Sequence, residues 1–254
     1  MGELLRDRSA RASEHAFVIE GPRAVDAALD RGAPLDAVYL GPRAEQAFAS
    51  LVARLRAAGV PIERLKDGVL ERIGSTVTPQ PVLAVAPKPR ADRAVLHGNG
   101  LVLVAVEIGD PGNLGTILRS AEASGVHAIV IEAGSVDAYN PKVVRASAGA
   151  IFGVPLLEGW SVMDALDELR GAGRACYGTA ASGGSRPDEV DLAAPAAVLL
   201  GNEARGLGTD VAARVDGWIT IPMASPAESL NVAMAATVVC FEAARQRAVA
   251  GGAR

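Results

Sequence analysis

Three stretches of the 254-residue chain set polar side chains among glycines at spacings that suit chemistry. In Asp110-Pro111-Gly112-Asn113-Leu114-Gly115-Thr116-Ile117-Leu118-Arg119-Ser120, an amide and a glycine fall at a helix start, with a guanidinium about two turns in. Leu200-Gly201-Asn202-Glu203-Ala204-Arg205-Gly206-Leu207-Gly208 surrounds the Glu203 carboxylate with glycines, where bare backbone can approach a ligand. Ile221-Pro222-Met223-Ala224-Ser225-Pro226-Ala227-Glu228-Ser229-Leu230-Asn231-Val232 is an extended loop entering a long helix. Singly, each Asn or Gly is an ordinary cap or turn residue. Together, turns alone do not require Arg119, Glu203, Ser229 and Asn231. Other chemistries fail on spacing. Gly171-Ala172-Gly173 follows a helix instead of a strand, and Cys176 occupies the last glycine position of a dinucleotide fingerprint. The chain has no phosphate-binding G-x-x-x-x-G-K-[ST] and no G-x-S-x-G nucleophile elbow. His15, His97 and His127 lack ligand-spaced partners, so no metal site is expected.

Each loop needs a strand to end just before it, and the apolar pattern supplies these. From Gly100 the sequence predicts strands at 101–106, 128–131, 175–179, 196–200 and 218–221. Between them lie helices at 113–124, 142–148 and 161–170, then a final helix over 229–250. Such alternation argues a parallel α/β sheet, whose ligands bind beyond the carboxyl ends of its strands. A smaller α/β unit precedes it. After a polar, Arg-rich opening come strands at 17–19, 37–40 and 82–86, with helices at 22–29, 44–58 and 67–73. The expected domains are 1–86, a separable unit, and 100–254, joined by the Pro- and charge-rich linker 87–99.

Composition narrows the function class. Net charge is −4, which excludes a generic basic nucleic-acid binder. Residues 1–90 hold 13 Lys/Arg against 11 Asp/Glu, and the remainder 12 against 18, so the first third is the better host for a polyanion. Cys176 and Cys240 read as small buried hydrophobes. No signal-peptide core or bilayer-length apolar run is present, and a cytoplasmic protein is expected.

At the three loops the chain resembles the SpoU/TrmH family of RNA ribose methyltransferases, within the SPOUT superfamily. N-x-G-x-I-x-R reads Asn113, Gly115, Ile117, Arg119. G-N-E-x-x-G reads Gly201, Asn202, Glu203, Gly206. The I-P-M…E-S-L-N-V motif reads Ile221 to Met223 and Glu228 to Val232. The segment Pro141 to Phe152, with Arg145 as a candidate RNA contact, is similar to the family's connecting segment. The first ~85 residues resemble the substrate-binding domain of many members, including Thr78-Pro79-Gln80. Ser225, Ala233 and Pro81 depart from the usual residues.

The resemblance implies a C-terminal SPOUT domain with a deep trefoil knot, an exception to the un-knotted rule. It also implies S-adenosyl-L-methionine as cofactor and a homodimer with the site at the subunit interface. The stripe Leu230, Met234, Val238, Phe241 of the final helix would serve either that interface or the core. By resemblance, Gly201, Asn202, Ile221, Leu230 and Thr179 hold the cofactor. Arg119 stabilises charge on a ribose 2′-oxygen; Asn113, Ser229 and Asn231 orient the ribose or Arg119; Glu203 fixes the guanidinium or its loop. The expected activity is 2′-O-methylation of ribosomal RNA, 23S RNA in first place. The alternatives are transfer RNA as substrate, or a non-catalytic RNA-binding module on the same fold.

Overall fold

The structure, a computed structural model, describes residues 1–74, 80–224 and 229–251. Its elements begin with helices α1 (Gly2–Arg6) and α2 (Arg8–Ser13), then β1 (Ala16–Glu20), α3 (Pro22–Asp30) and β2 (Ala37–Leu40). They continue with α4 (Ala44–Ala47), α5 (Ala49–Ala57), β3 (Ile62–Arg64), α6 (Val69–Ile73) and β4 (Val82–Pro87). After a 3-10 turn at Arg93–His97 come β5 (Leu101–Ala105), α7 (Pro111–Ser124), β6 (Ala128–Glu132), α8 (Pro141–Ala146) and β7 (Leu156–Trp160). The series closes with α9 (Val162–Gly171), β8 (Ala175–Thr179), β9 (Ala196–Leu200), α10 (Thr209–Ala212), β10 (Gly217–Ile219) and α11 (Val232–Ala250).

By contacts the chain forms two units, 1–89 with 137–153, and 90–136 with 154–254. The first unit has a four-stranded sheet in the order β1-β4-β2-β3. In it, β4 runs antiparallel to both neighbours, and β3 is parallel to β2. All five residues of β1 are buried. The segment 137–153, which the sequence pattern assigns to the second domain, belongs here because its side chains complete this core. The Phe17 ring lies 4.7 Å from that of Tyr139 and 6.1 Å from that of Phe152. Arg11 Nε and Nη2 reach Asp137 Oδ2 at 2.7 and 2.6 Å, with both side chains almost fully buried.

The second unit carries a six-stranded, wholly parallel sheet in the order β10-β8-β9-β5-β6-β7. Every residue of β5 and β9 is buried, as expected for central strands covered on both faces. Buried Arg174 gathers the carbonyls of Leu96, Gly98, Gly100 and Ala196 and ties the expected linker to this unit. Leu96 itself is fully buried.

Several expected elements shift. The helix expected over 44–58 breaks at Phe48, whose φ of −125° and ψ of 41° leave helical space. The final helix starts at Val232 instead of Ser229, since Asn231 at ψ 139° caps it from outside. Strands β3 and β7 and helices α1 and α2 escape the pattern, because none presents a periodic apolar face. Burial pushes the thiols of Cys176 and Cys240 up to about 11 and about 12, which keeps both protonated and inert. Among the described residues, no helix is long and apolar enough to cross a membrane.

The Arg11–Asp137 pair gives a stability prediction. Asp137→Ala leaves a buried guanidinium without its counter-charge and should cost the first unit about 3–5 kcal/mol in denaturant unfolding. The double change Arg11→Met with Asp137→Leu should recover most of that loss. A single variant as stable as the parent would show that the pair contributes nothing.

Candidate functional site

Helix α7 begins where Asp110 accepts the amide of Asn113 at 2.8 Å, with Pro111 in the first turn. Its apolar face, Leu114, Ile117, Leu118 and Ala121, is buried and packs toward α11. A hydroxyl pair, Ser120 and Thr237 at 2.6 Å, joins the two helices. Gly112, Thr116, Arg119 and Ala123 form the opposite, exposed stripe. Arg119 therefore points to solvent, without a hydrogen bond or ion pair among the described residues.

Asn113 is held from both ends. Asn231 Oδ1 accepts the amides of Ala233 (2.9 Å) and Met234 (3.4 Å), capping α11. That orientation leaves Asn231 Nδ2 to donate, and it does so to Asn113 Oδ1 at 3.0 Å. Asn113 Nδ2 in turn donates to Glu203 Oε1. The cap thus fixes the amide orientations, and the relay must end on an acceptor, which a carboxylate provides. One residue from each of the three loops takes part. Of the two expected roles of Glu203, fixing the guanidinium or the loop, the first is not seen: it is bound to Asn113 and not to Arg119. Likewise, neither Asn113 nor Asn231 touches Arg119.

The Glu203 loop is a tight turn closed by two backbone bonds between Asn202 and Gly206, at 3.1 and 2.8 Å. Gly201 is required there, since a Cβ would lie 2.6 Å from the Gly206 carbonyl carbon. Glu107, unremarked by the sequence, anchors the turn. Its carbonyl accepts Asn202 Nδ2 at 3.0 Å, and its carboxylate pairs with Arg205 at 2.6 Å. Glu107 itself sits at φ 52°, an uncommon conformation for a residue with a side chain.

A pocket of about 270 Å³ opens beyond the carboxyl ends of β8, β9 and β10. All five expected cofactor residues, Thr179, Gly201, Asn202, Ile221 and Leu230, line it, together with Glu203 and Ser229. Thr179 Oγ1 is fixed by donation to Leu199 O at 3.0 Å. Leu230 precedes α11 instead of joining its stripe, because the helix starts two residues later. Apolar walls come also from Met223 and Val232, which the third motif contains without marking them as cofactor contacts, and from Ile219 and Val239, for which only proximity to a strand end and to the third loop is a signal. Arg119 does not line the pocket. Arg145 belongs to the first unit, 3.0 Å from Glu20. Ser225 to Glu228 and Ser75 to Pro79 lie outside the described residues. Among those described, no group of His, Cys, Asp and Glu could hold a metal ion.

The cap and the relay separate in two variants of one residue. Asn231→Ala should lower stability by about 0.5–2 kcal/mol through loss of the cap. Asn231→Asp keeps an acceptor for the helix amides and should unfold like the parent. Equal losses in thermal unfolding for both variants would refute the capping role.

Two family models match the chain. Residues 100–241 match the SpoU rRNA Methylase family, and residues 3–84 match the MRM3-like substrate binding domain. The chain is 33% identical to the 23S rRNA (uridine(2479)-2'-O)-methyltransferase of Streptomyces viridochromogenes, over 96% of this chain and 88% of the relative. It is 30% identical to the 23S rRNA (guanosine(2553)-2'-O)-methyltransferase RlmP of Bacillus subtilis, over 93% and 92%. Among solved structures, the SpoU methyltransferase AviRb from Streptomyces viridochromogenes in complex with AdoMet aligns with a TM-score of 0.84. It has 31% identity and covers 97% of this chain and 96% of that one. An AdoMet-bound rRNA methyltransferase from Sinorhizobium meliloti aligns at 0.82, with 28% identity over 96% and 92%. With more than half its length matched, and by residues that line the pocket and form the relay, the chain belongs to the SpoU rRNA methylase family.

Proposed function

We propose that this protein transfers a methyl group from S-adenosyl-L-methionine to a ribose 2′-hydroxyl of ribosomal RNA, with 23S RNA as the substrate. The observation that carries the reading is the pocket beyond β8–β10, joined through Glu203 to the Asn113–Asn231 relay. The pocket fits the cofactor. Ile219, Ile221, Leu230 and Val232 offer apolar walls for a flat base, and the turn that Gly201 permits brings backbone to its edge. When bound, the sulfonium supplies an electrophilic methyl group whose leaving thioether is neutral.

What the protein must supply is a competent nucleophile. A ribose hydroxyl is a weak acid and develops negative charge on oxygen as it attacks. Stabilising that charge and positioning the ribose are therefore the tasks of this chain. Asn113, Glu203, Ser229 and Asn231 form the polar side that receives the ribose. Arg119 is assigned the charge. Its fork of donors is unpaired among the described residues and can hold a phosphate beside the reacting oxygen. An arginine stays protonated in proteins, so its role is electrostatic and not that of a base. Arg145 is assigned to the RNA as a further contact, and the work is placed in the cytoplasm, where ribosomal RNA is found.

The partner is a second copy of the chain. Met234, Val238, Phe241 and Val249 are 60%, 42%, 50% and 70% exposed along one side of α11, while the other side of the helix is core. Such an apolar stripe on a surface helix suits a self-complementary contact.

Arg119→Ala should reduce single-turnover methyl transfer to saturating 23S RNA by roughly 10²–10³, by analogy with loss of one oxyanion donor. Calorimetric affinity for S-adenosyl-L-methionine should stay near the parent value, because Arg119 does not line the pocket. Arg119→Lys should rescue poorly, since a point charge cannot replace the planar fork. Parent-like transfer by Arg119→Ala would sink this mechanism. Phe241→Glu should convert the dimer to monomer in sedimentation analysis, and an unchanged mass would remove α11 from the interface.

A further inference from the structure

The first unit contains a short internal repetition that the site above does not use. Gly21-Pro22-Arg23-Ala24 follows β1, and Gly41-Pro42-Arg43-Ala44 follows β2. The topology brings the two turns to one edge. Both strands pair antiparallel with β4, so they run in the same direction, and β3 runs parallel to β2. Their ends are also level, since Glu20 pairs with Leu83, Leu40 with Val82, and Leu40 with Arg64. The residues that follow the three strands, Arg23, Arg43 and Lys66, therefore emerge side by side. With neighbouring strands about 4.8 Å apart, the row spans roughly 15 Å in the order β1-β4-β2-β3.

Several other arginines of the unit are paired with carboxylates. Arg54 is bound by Asp26 and Asp30, and Arg56 and Arg64 share Glu45. Those two guanidiniums hold the Glu45 carboxyl below its ordinary range, and among the described residues no hydrogen bond or ion pair joins it to Arg43, two residues away. Arg23, Arg43 and Lys66 are exposed, and none has a hydrogen bond or ion pair among the described residues. The one free carboxylate in the row is Asp67. Arg43 is held at φ 63°, in the left-handed region, although it carries a long side chain. Arg145, at the β1 end beside Glu20, extends the row.

We propose that this edge is an RNA backbone clamp, in which Arg23, Arg43 and Lys66 each contact a phosphate of the ribosomal RNA substrate. The inference rests on the rRNA reading above and deepens it by naming a surface of the first unit that holds the RNA. Three cations in a row suit contact with the phosphates, which carries no base readout. The clamp contributes affinity and placement, and no chemistry.

The test is the salt dependence of binding to transcribed 23S RNA, for the full chain and for Arg23→Ala/Arg43→Ala/Lys66→Ala. Each phosphate contact contributes about 0.7–0.9 to the slope of log affinity against log salt, so the triple variant should lose roughly two to three units of slope. Its thermal unfolding and circular dichroism should match the parent, which shows that the first unit is intact. Arg54→Ala/Arg56→Ala/Arg64→Ala removes the same charge from the same unit and should keep the parent slope. Arg23→Lys/Arg43→Lys should also keep it, because charge alone is needed. A parent-like slope in the edge triple, with the parent itself binding and methylating the RNA, overturns the clamp and leaves the activity standing. Equal slope losses in both triples overturn it as well. A parent that neither binds nor methylates 23S RNA overturns both readings.

Discussion

The arrangement of the candidate site depends on an unsatisfied helix end. The amides of Ala233 and Met234 at the start of α11 need an acceptor, and Asn231 provides one. From that requirement the orientation of every amide in the relay follows. Asn231 has only a donor left for Asn113, which then has only a donor left for Glu203. A carboxylate is the chemically sensible terminus of such a line. The polar side of the site is therefore fixed by the backbone of a long, well-packed helix, and not by the loops alone.

The parallel sheet supplies the second constraint. Because all six strands run the same way, their carboxyl ends crowd the polar loops onto one edge, and the core strands β5 and β9 hold that edge rigid. The pocket then forms where three adjacent strands, β10, β8 and β9, release the chain. A cofactor bound there would meet walls from a rigid sheet on one side and from α11 on the other. Such placement suits chemistry in which positioning contributes more than acid or base strength.

Much of this was legible in the sequence, for identifiable reasons. The continuous apolar runs of β5 and β9 and the helices that alternate with the strands announce a parallel α/β sheet. The residues of the second and third loops announce the pocket, and all five expected cofactor contacts line it. What the sequence conceals is pairing at a distance. Nothing local in Glu203 indicates that its partner is Asn113, 90 residues earlier, instead of an arginine. Glu107 is invisible for the same reason, because its role comes from a backbone conformation and from Asn202 and Arg205, far along the chain. The segment 137–153 misleads in the opposite sense, since its sequence neighbours lie in one unit and its contacts in the other.

That discontinuity bears on how the protein is made. Phe17 lies in β1, near the amino terminus, yet the rings it packs against are Tyr139 and Phe152. During synthesis the first unit must wait, with part of its core uncovered, until residue 153 has left the ribosome. By then strands β5 and β6 of the other unit are already available. The two units thus cannot mature strictly one after the other, as beads on a string do; the earlier-starting one finishes only after the later one has begun.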